Sequence, residues 1–353
     1  MEQRQRTAAE ISGEDLLQSR LSGYRATTLA GLLSAVPDRE PRKYLYDPLS
    51  SHLARIGKSI RPALCIATCQ AFGGDAADAA KSAAAIEMLH NAFLVHDDVE
   101  DESELRRGFP TMHAEHGVPL AVNAGDMLNA LSLRMLRENM PVLGPEITWR
   151  IFDEFEHMMH ESLEGQAMEL GWVRDNRCDL TDADYLRMVL KKTCWYSFIH
   201  PCRIGALIAT RDRLDLDRFN RFGFYLGAAF QIQDDLLNLT GDPKRYGKEI
   251  AGDLFEGKRT VMLIHLLGHI DQKEMQRLRT FLGQSRVQRS PTDVEWVLAL
   301  MRSRGSMEYG RTVSRHLAGA TLYEFTQAFG DVPDSDEKEF LNQIIRYMVN
   351  RDL

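Results

Sequence analysis

An all-α bundle is the fold class this sequence predicts, and three observations carry it. Long runs rich in Ala, Leu, Met and Glu place apolar residues at helical spacing. Strand-like alternation bounded by turn residues is nearly absent. Short breakers punctuate the chain instead: "FGGD", "RRGFP", "LGPE", "TGDPKRYG" and "VPDSDE".

Taken in order, the elements support that class. The opening "MEQRQRTAAEISGEDLLQSR" belongs to a polar extension, residues 1–40, expected to be partly disordered. Residues 41–353 read as one all-α domain. "DAADAAKSAAAIEMLHNAFLVHDDVED" and "PEITWRIFDEFEHMMHESLEGQAMELGW" read as long helices. So do "DLDRFNRFGFYLGAAFQIQDDLLNL" and the C-terminal "DSDEKEFLNQIIRYMVNRDL". Many alanines and few aromatics suit helices packed closely around a central space. There is no fixed-period repeat and no low-complexity segment.

Composition narrows the function. With 353 residues, 44% of them apolar, the chain can build a large core. A net charge of -8 argues against a nucleic-acid partner, which needs basic patches. The five cysteines form no CxxC pair and read as reduced core thiols of a cytoplasmic protein. The N-terminus has no apolar signal core, and no run of ~18 apolar residues spans a bilayer.

Two acidic clusters stand out. In "HDDVEDESELRRG", Asp97 and Asp101 lie one turn apart on a helix face, with Asp98 beside them. Like charges at that spacing repel unless a cation sits between them. Hard oxygen ligands so placed suit Mg²⁺, which keeps several waters and bridges to phosphate oxygens. One such cluster alone reads as a solvated face. The second, in "FQIQDDLLNL", puts Asp234, Asp235 and Asn238 at i, i+1 and i+4 between apolar flanks. Carboxylates in an apolar helix are unfavourable unless paired or metal-bound. Two such clusters on two helices can face each other across a cavity.

The neighbouring cations fit an anionic ligand. Arg106 and Arg107 match phosphate oxygens in geometry. Lys58 and Arg61 in "GKSIRP", Lys191 and Lys192 in "KKT", Lys248 in "YGKE", and Lys258 and Arg259 in "EGKRT" sit at other breaks. In a net acidic chain this collection favours two diphosphate sites. No Gly-rich nucleotide loop is present.

These motifs run in the order "GKSIRP", "HNAFLVHDDVEDESELRRG", "EGQAMEL", "KKT", "FQIQDD" and "YGKEIAGDLFEGKRT". The sequence thereby resembles the trans-isoprenyl diphosphate synthases, the polyprenyl synthetase family, from Ile56 to Leu267. The resemblance implies an isoprenoid-synthase-type helical bundle with the reaction cavity between the two Asp-rich helices. It implies that Asp97 and Asp101, with Asp98 in the same motif, hold Mg²⁺ on one side of an allylic diphosphate. Asp234, supported by Asp235, would hold a third Mg²⁺ from the other side. Arg106, Lys192, Lys248 and Lys258 would hold the allylic diphosphate. Lys58, Arg61, His90 and Arg107 would hold isopentenyl diphosphate. Lys192, Thr193 and Gln231 form the implied catalytic set, the last two placing oxygen dipoles near the developing cation. Members are usually homodimers.

The implied reaction ionises the allylic C–O bond, the isopentenyl double bond attacks C1, and a proton leaves to the released diphosphate. No protein nucleophile is needed, and no Ser/His/Asp or Cys/His constellation is present to supply one. Two features depart from many members. Asn238 stands where Asp is common, and "DDVED" lacks a two-residue insertion, as in eukaryotic or archaeal-type members. A class I terpene cyclase shares the first motif, but the chain lacks NDxxSxxxE. A non-catalytic regulatory subunit tends to lose an Asp-rich motif, and both are kept here.

Product length is expected to depend on the helix leading to Asp97. A tail anchored at its acidic end would run past Phe93, Ala92, Leu89 and Ile86. Farnesyl-specific members of this type carry aromatics at the fourth and fifth positions before the first Asp. Here Phe93 keeps the fourth, but the fifth is the small Ala92. That opens room on the order of 5 Å, about one isoprene unit. Geranylgeranyl diphosphate (C20) is the expected product, with farnesyl diphosphate (C15) as the alternative.

Overall fold

In a computed structural model the chain is described over residues 8–55, 57–241 and 250–349. The polar extension is not disordered over its described part: it forms α1 (Ala8–Ala35). Leu17, Leu21, Tyr24, Thr28 and Leu32 recur every three or four residues and are buried. Tyr24 Oη donates to Gln70 at 2.8 Å, and its ring meets Phe340 edge-on at 5.4 Å. A narrow apolar stripe on a polar helix is enough to dock it against the rest of the bundle.

A π-helical turn at Arg42–Tyr46 leads into α2 (Asp47–Ala54), followed by α3 (Ile60–Ala71) and α4 (Ala76–Glu100). Asp75 caps α4 by accepting the Ala77 N–H at 2.9 Å. The run "RRGFP" is a hairpin. β1 (Leu105–Arg106) pairs antiparallel with β2 (Phe109–Pro110), the only strands among the described residues. Arg107 (φ 55°) and Gly108 (φ 78°) form the tight turn, both left-handed as a two-residue hairpin of this twist requires. Strands of two residues are too short to leave an alternation signal in sequence.

Next come α5 (Met112–His116), α6 (Val118–Arg137) and α7 (Met140–Arg174), the last broken at Gly144–Pro145. α8 (Asp182–Val189) starts at a capping box between Thr181 and Asp184. It passes through a π-helical stretch, Leu190–Ile199, into α9 (His200–Thr210). α10 (Arg218–Thr240), α11 (Gly252–Glu256) and α12 (Val261–Leu267) follow. α13 (Gln272–Leu282), α14 (Pro291–Ser303), α15 (Ser306–Phe329) and α16 (Asp336–Val349) complete the chain.

Two close helix approaches position the site. α4 lies antiparallel to α6. Asn139 Nδ2 donates to Ser82 Oγ at 3.1 Å, and the His96 ring sits where a Gly125 side chain would be. Both contacts fit one register, which puts Ser82, Leu89, Ala92 and His96 on the stripe of α4 facing α6. α10 lies against the π-helical stretch at Gly223 and Gly227, one turn apart. A Cβ on Gly227 would come within 2.6 Å of Cys194 Sγ. The next turn of that stripe is Gln231, so close packing there delivers the second acidic cluster beside Thr193.

Candidate active site

A cavity of about 1100 Å³ receives side chains from α3, α4, the hairpin, α7, the π-helical stretch, α10 and the segment around Asp253–Thr260. Glu87, His90, Phe93, Leu94, His96, Asp97 and Glu100 line it from α4, with Glu87, His90, Leu94 and Asp97 at spacings of three or four.

At one end both acidic helices border the cavity. Asp97 faces the cavity and accepts from Lys192 Nζ at 3.4 Å, Arg106 Nη2 at 3.4 Å and Gln166 Nε2 at 3.3 Å. Asp101 closes the turn below it and accepts from Lys258 Nζ at 2.5 Å. Burial drives the Asp101 carboxyl up, to about 7; Lys258 draws it back, and Asp97 and Glu256 add to the rise. These acids end α4, where the helix dipole disfavours negative charge, so nearby cations must offset both effects. Lys192 also pairs with Glu169 of α7. Burial opposes the Lys192 charge, but Glu169 and Asp97 outweigh it and keep the ammonium protonated. α7 reaches it because Gly165 packs directly on the Lys191–Lys192 backbone.

Asp98 turns away from the cavity. It is 1% exposed and does not line the cavity; Arg106 Nε donates to its two oxygens at 2.7 and 2.8 Å. Successive helical residues diverge by about 100°, so Asp98 points at the hairpin while Asp97 points at the cavity. Arg106 thus ties the hairpin to α4, and its guanidinium still reaches the cavity wall.

The second cluster divides the same way. Asp234 lines the cavity. Asp235 also borders it, but Gln231 Nε2 donates to one oxygen at 2.8 Å and Tyr185 Oη to the other at 2.7 Å. Burial pushes its carboxyl up to about 7 against those two donors. Asp235 therefore orients Gln231, whose Oε1 accepts from Thr193 Oγ1 at 2.9 Å. Asn238 lies outside the cavity lining. Its Oδ1 accepts the Asp253 N–H at 3.1 Å and its carbonyl accepts the Ala251 N–H at 2.7 Å. Its side chain is thus engaged with the segment after α10 rather than with the cavity.

At the other end cations crowd together. Arg61 donates to Tyr196 Oη at 2.9 Å, Ser197 Oγ at 2.8 Å and His90 Nε2 at 3.2 Å, with its guanidinium over the Tyr196 ring. Arg107 packs on Gly57 and donates to the Arg55 carbonyl at 2.5 Å. Lys58 is exposed, over the Tyr347 ring at 5.0 Å. Burial first, then Arg61 and Arg107, hold His90 well below the usual imidazole range, so it is neutral and its Nε2 accepts. Glu87 is 1% exposed, its carboxyl raised by burial and pulled back by the same arginines. Glu87 Oε2, His90 Nδ1, Arg61 Nε and Ser59 Oγ are buried without a hydrogen-bond partner among the described residues.

The chain-length residues divide between the cavity and the core. Phe93 lines the cavity and meets Tyr196 edge-on at 5.7 Å. Ala92 and Leu89 are fully buried, on the stripe packed toward α6, and do not line it. The fifth position before Asp97 is rotated roughly 140° from it, whereas the fourth is rotated only about 40°. Lys248 falls outside the described residues. Glu87, Gln166, Glu169, Tyr185, Tyr196 and Asp253 were not singled out from the sequence. Gln166 and Glu169 lie inside the "EGQAMEL" motif, and Glu87 is one turn before His90, so both signals were available.

The residues suit magnesium in one particular sense. Among the described residues no three acidic, imidazole or thiol groups converge to cage a metal ion. Asp97 and Asp234 instead present hard oxygens to the cavity, and Asp101 lies one turn behind Asp97, paired with Lys258 outside the cavity lining. Mg²⁺ is commonly held by one or two carboxylates, with water and phosphate oxygens completing its shell. Among the described residues no helix is long and apolar enough to cross a membrane.

A family model described as Polyprenyl synthetase matches residues 42–301. The chain is 34% identical over 295 residues to the geranylgeranyl diphosphate synthase of Saccharolobus solfataricus, covering 84% of this chain and 86% of that one. It is 38% identical over 227 residues to the geranylgeranyl diphosphate synthase of Sulfolobus acidocaldarius, covering 64% and 68%. Its fold is similar to the crystal structure of the geranylgeranyl pyrophosphate synthetase from Pyrococcus horikoshii. That match has a TM-score of 0.83 and 29% identity, and covers 96% of this chain and 99% of that one.

Proposed function

This chain belongs to the polyprenyl synthetase family, and from that premise we propose that it condenses isopentenyl diphosphate with allylic diphosphates to give geranylgeranyl diphosphate. It is a prenyltransferase. One observation carries the reading: two carboxylate-bearing helices and a separate cation cluster open into the same cavity. A cyclase needs the first half of that arrangement and not the second. The C20 product rests on the named relatives, since Ala92 no longer supports it.

Asp97, Asp101 and Asp234 would hold Mg²⁺, three ions by family resemblance. When bound, the ions supply positive charge against the diphosphate as it leaves. The protein's own part is positioning. Lys192 and Lys258 point into the acidic end and can exchange a carboxylate partner for a phosphate oxygen. Arg61, Arg107 and Lys58 surround the other end, and the neutral His90 leaves room for an anion there. Thr193 commits its proton to Gln231, so its oxygen lone pairs are turned outward to a developing allylic cation. Phe93, Met188 and Phe230 line the space and exclude water, which would quench that cation. The Phe93–Tyr196 pair is the floor we assign to the growing tail.

Residues 41–353 act in this reading as one synthase domain onto which α1 docks. Exposed Val118, Val122 and Leu133 on α6, with Val142 and Trp149 on α7, support a homodimer formed over that face. The free cysteines support a reducing, cytoplasmic setting. The test is turnover of labelled isopentenyl diphosphate with dimethylallyl, geranyl or farnesyl diphosphate and Mg²⁺, with products separated against chain-length standards. A main C20 product supports the reading. Cyclisation without isopentenyl diphosphate, or no turnover alone, overturns it.

A further inference from the structure

Lys258 reaches Asp101 from a very short turn, and two buried arginines surround that turn. Arg259 is 2% exposed and Arg289 is 5% exposed. Neither meets a carboxylate among the described residues. Arg259 Nε donates to the Arg177 carbonyl at 3.0 Å, its Nη2 to Asn176 Oδ1 at 2.8 Å, and its Nη1 to the Gly257 carbonyl. Arg289 Nη1 donates to the Phe255 carbonyl at 2.5 Å. Its other nitrogens donate to the Phe281 and Leu282 carbonyls, at 3.3 and 2.9 Å, at the end of α13.

Glu256 acts on Arg289 only at longer range, so both charges are held chiefly by carbonyl oxygens, a costly arrangement that needs a reason. The backbone between the two guanidiniums supplies one. Gly257 is left-handed (φ 75°), and a Cβ there would lie 2.6 Å from Arg289 Nη2. Arg289 therefore fills the space a side chain would take. It fixes Phe255 on one side of Gly257, while Arg259 fixes the Gly257 carbonyl itself. Lys258 follows, its N–H held by the Asp253 carbonyl at 2.8 Å. The whole turn is anchored to α13, far along the chain from any Asp-rich motif.

We propose that Arg289 is a positioning residue for the reaction: it acts through the Phe255–Gly257 backbone to aim Lys258 at the allylic diphosphate. The inference rests on the synthase reading for what Lys258 contacts. Arg289→Met removes the donors and keeps the bulk; Arg289→Lys keeps the charge and one donor. Gly257→Ala displaces the guanidinium without removing it. Each is compared with wild type for KM of geranyl diphosphate, KM of isopentenyl diphosphate, and Kd of geranyl thiodiphosphate, which does not ionise readily.

The expected result is an allylic KM and thiodiphosphate Kd raised roughly 10-fold in Arg289→Met and Gly257→Ala, partly restored in Arg289→Lys. The isopentenyl KM stays within about two-fold. Equal rises in both KM values, or no rise in a folded variant, overturn the proposal. If Arg289→Met fails to fold, Arg289→Lys and Arg289→Gln decide, because Gly257→Ala also strains the left-handed turn itself. Absence of wild-type turnover would sink the synthase reading instead, and the Kd ratio would still judge the positioning role.

Discussion

The two ends of the cavity solve opposite electrostatic problems. At the acidic end four carboxylates of the two clusters already have protein partners: Lys192 and Arg106 at Asp97, Arg106 at Asp98, Lys258 at Asp101, Gln231 and Tyr185 at Asp235. At the basic end Arg61, Arg107 and His90 crowd around a single carboxyl, Glu87, and several buried polar atoms stay unmatched. A ligand arriving at the acidic end exchanges partners. A ligand arriving at the basic end supplies the partner the protein lacks. The acidic end is thus built for chemistry that moves charge, and the basic end for holding a charge still.

Several changes would break or sharpen that contrast. The largest effect belongs to Asp97→Ala, which removes the carboxylate that faces both lysine and substrate. Turnover should fall by roughly 10³-fold or more with the fold intact. Its melting temperature should not rise, because Lys192 and Arg106 already relieve the repulsion among the acids. Near-wild-type turnover at limiting Mg²⁺ would end the two-cluster account.

Arg61→Ala tests the other end. Loss of a charge-assisted contact should raise the isopentenyl KM by about 10- to 100-fold and leave the allylic KM nearly unchanged. A matched rise in both constants would mean the ends are not separate.

Core packing comes next. Ala92→Phe forces a ring between α4 and α6 and should cost about 1–3 kcal/mol of stability, read by denaturant melts, without shortening the product. Phe93→Ala should instead lengthen it. A C15 product from Ala92→Phe would restore the fifth position as the floor.

A pH titration separates the ends by stability. Burial, then Arg107 and Arg106, push His52 down to about 3, and His90 is likewise lowered. Folding therefore favours both rings neutral. Their contribution is fully present above the unfolded value near 6.5 and is lost as pH falls from there toward 3. Asp101 and Asp235, raised to about 7, act in the opposite sense over the same window, so the test is the difference between variants: His52→Gln should lose less stability than wild type as pH falls from 6.5 toward 3. Parallel profiles for the two proteins would remove the crowded cations as the cause.

The smallest effect is expected from Glu87→Gln. Replacing the buried carboxyl beside Arg61 and Arg107 by an amide should lower the isopentenyl KM two- to five-fold, on the order of 1 kcal/mol or less. A higher KM would make Glu87 a contact that orients the arginines rather than a counter-charge.

Much of this was legible beforehand. Helical spacing set the class, and the order of the motifs set the family. Asp97, Asp234, Lys192, Lys258, Arg61 and His90 do share one cavity. The hairpin at Arg107–Gly108 was not legible, because its strands are shorter than any period. The stripe of α1 was hidden by its polar composition.

Residue types and their spacing are properties of the chain, so the sequence by itself determined an all-α bundle, two acidic helix faces and the cations to answer them. Direction is a property of neighbours. Asp97 and Asp98 are adjacent and chemically identical, yet one enters the cavity and the other is clamped by Arg106. Ala92 and Phe93 part in the same manner. Only the packing of α4 against α6, and of α10 against the π-helical stretch, decides which side of each helix faces open space. The reason is that a helix rotates about 100° per residue, while a buried face is chosen by whichever partner can pack most closely against it.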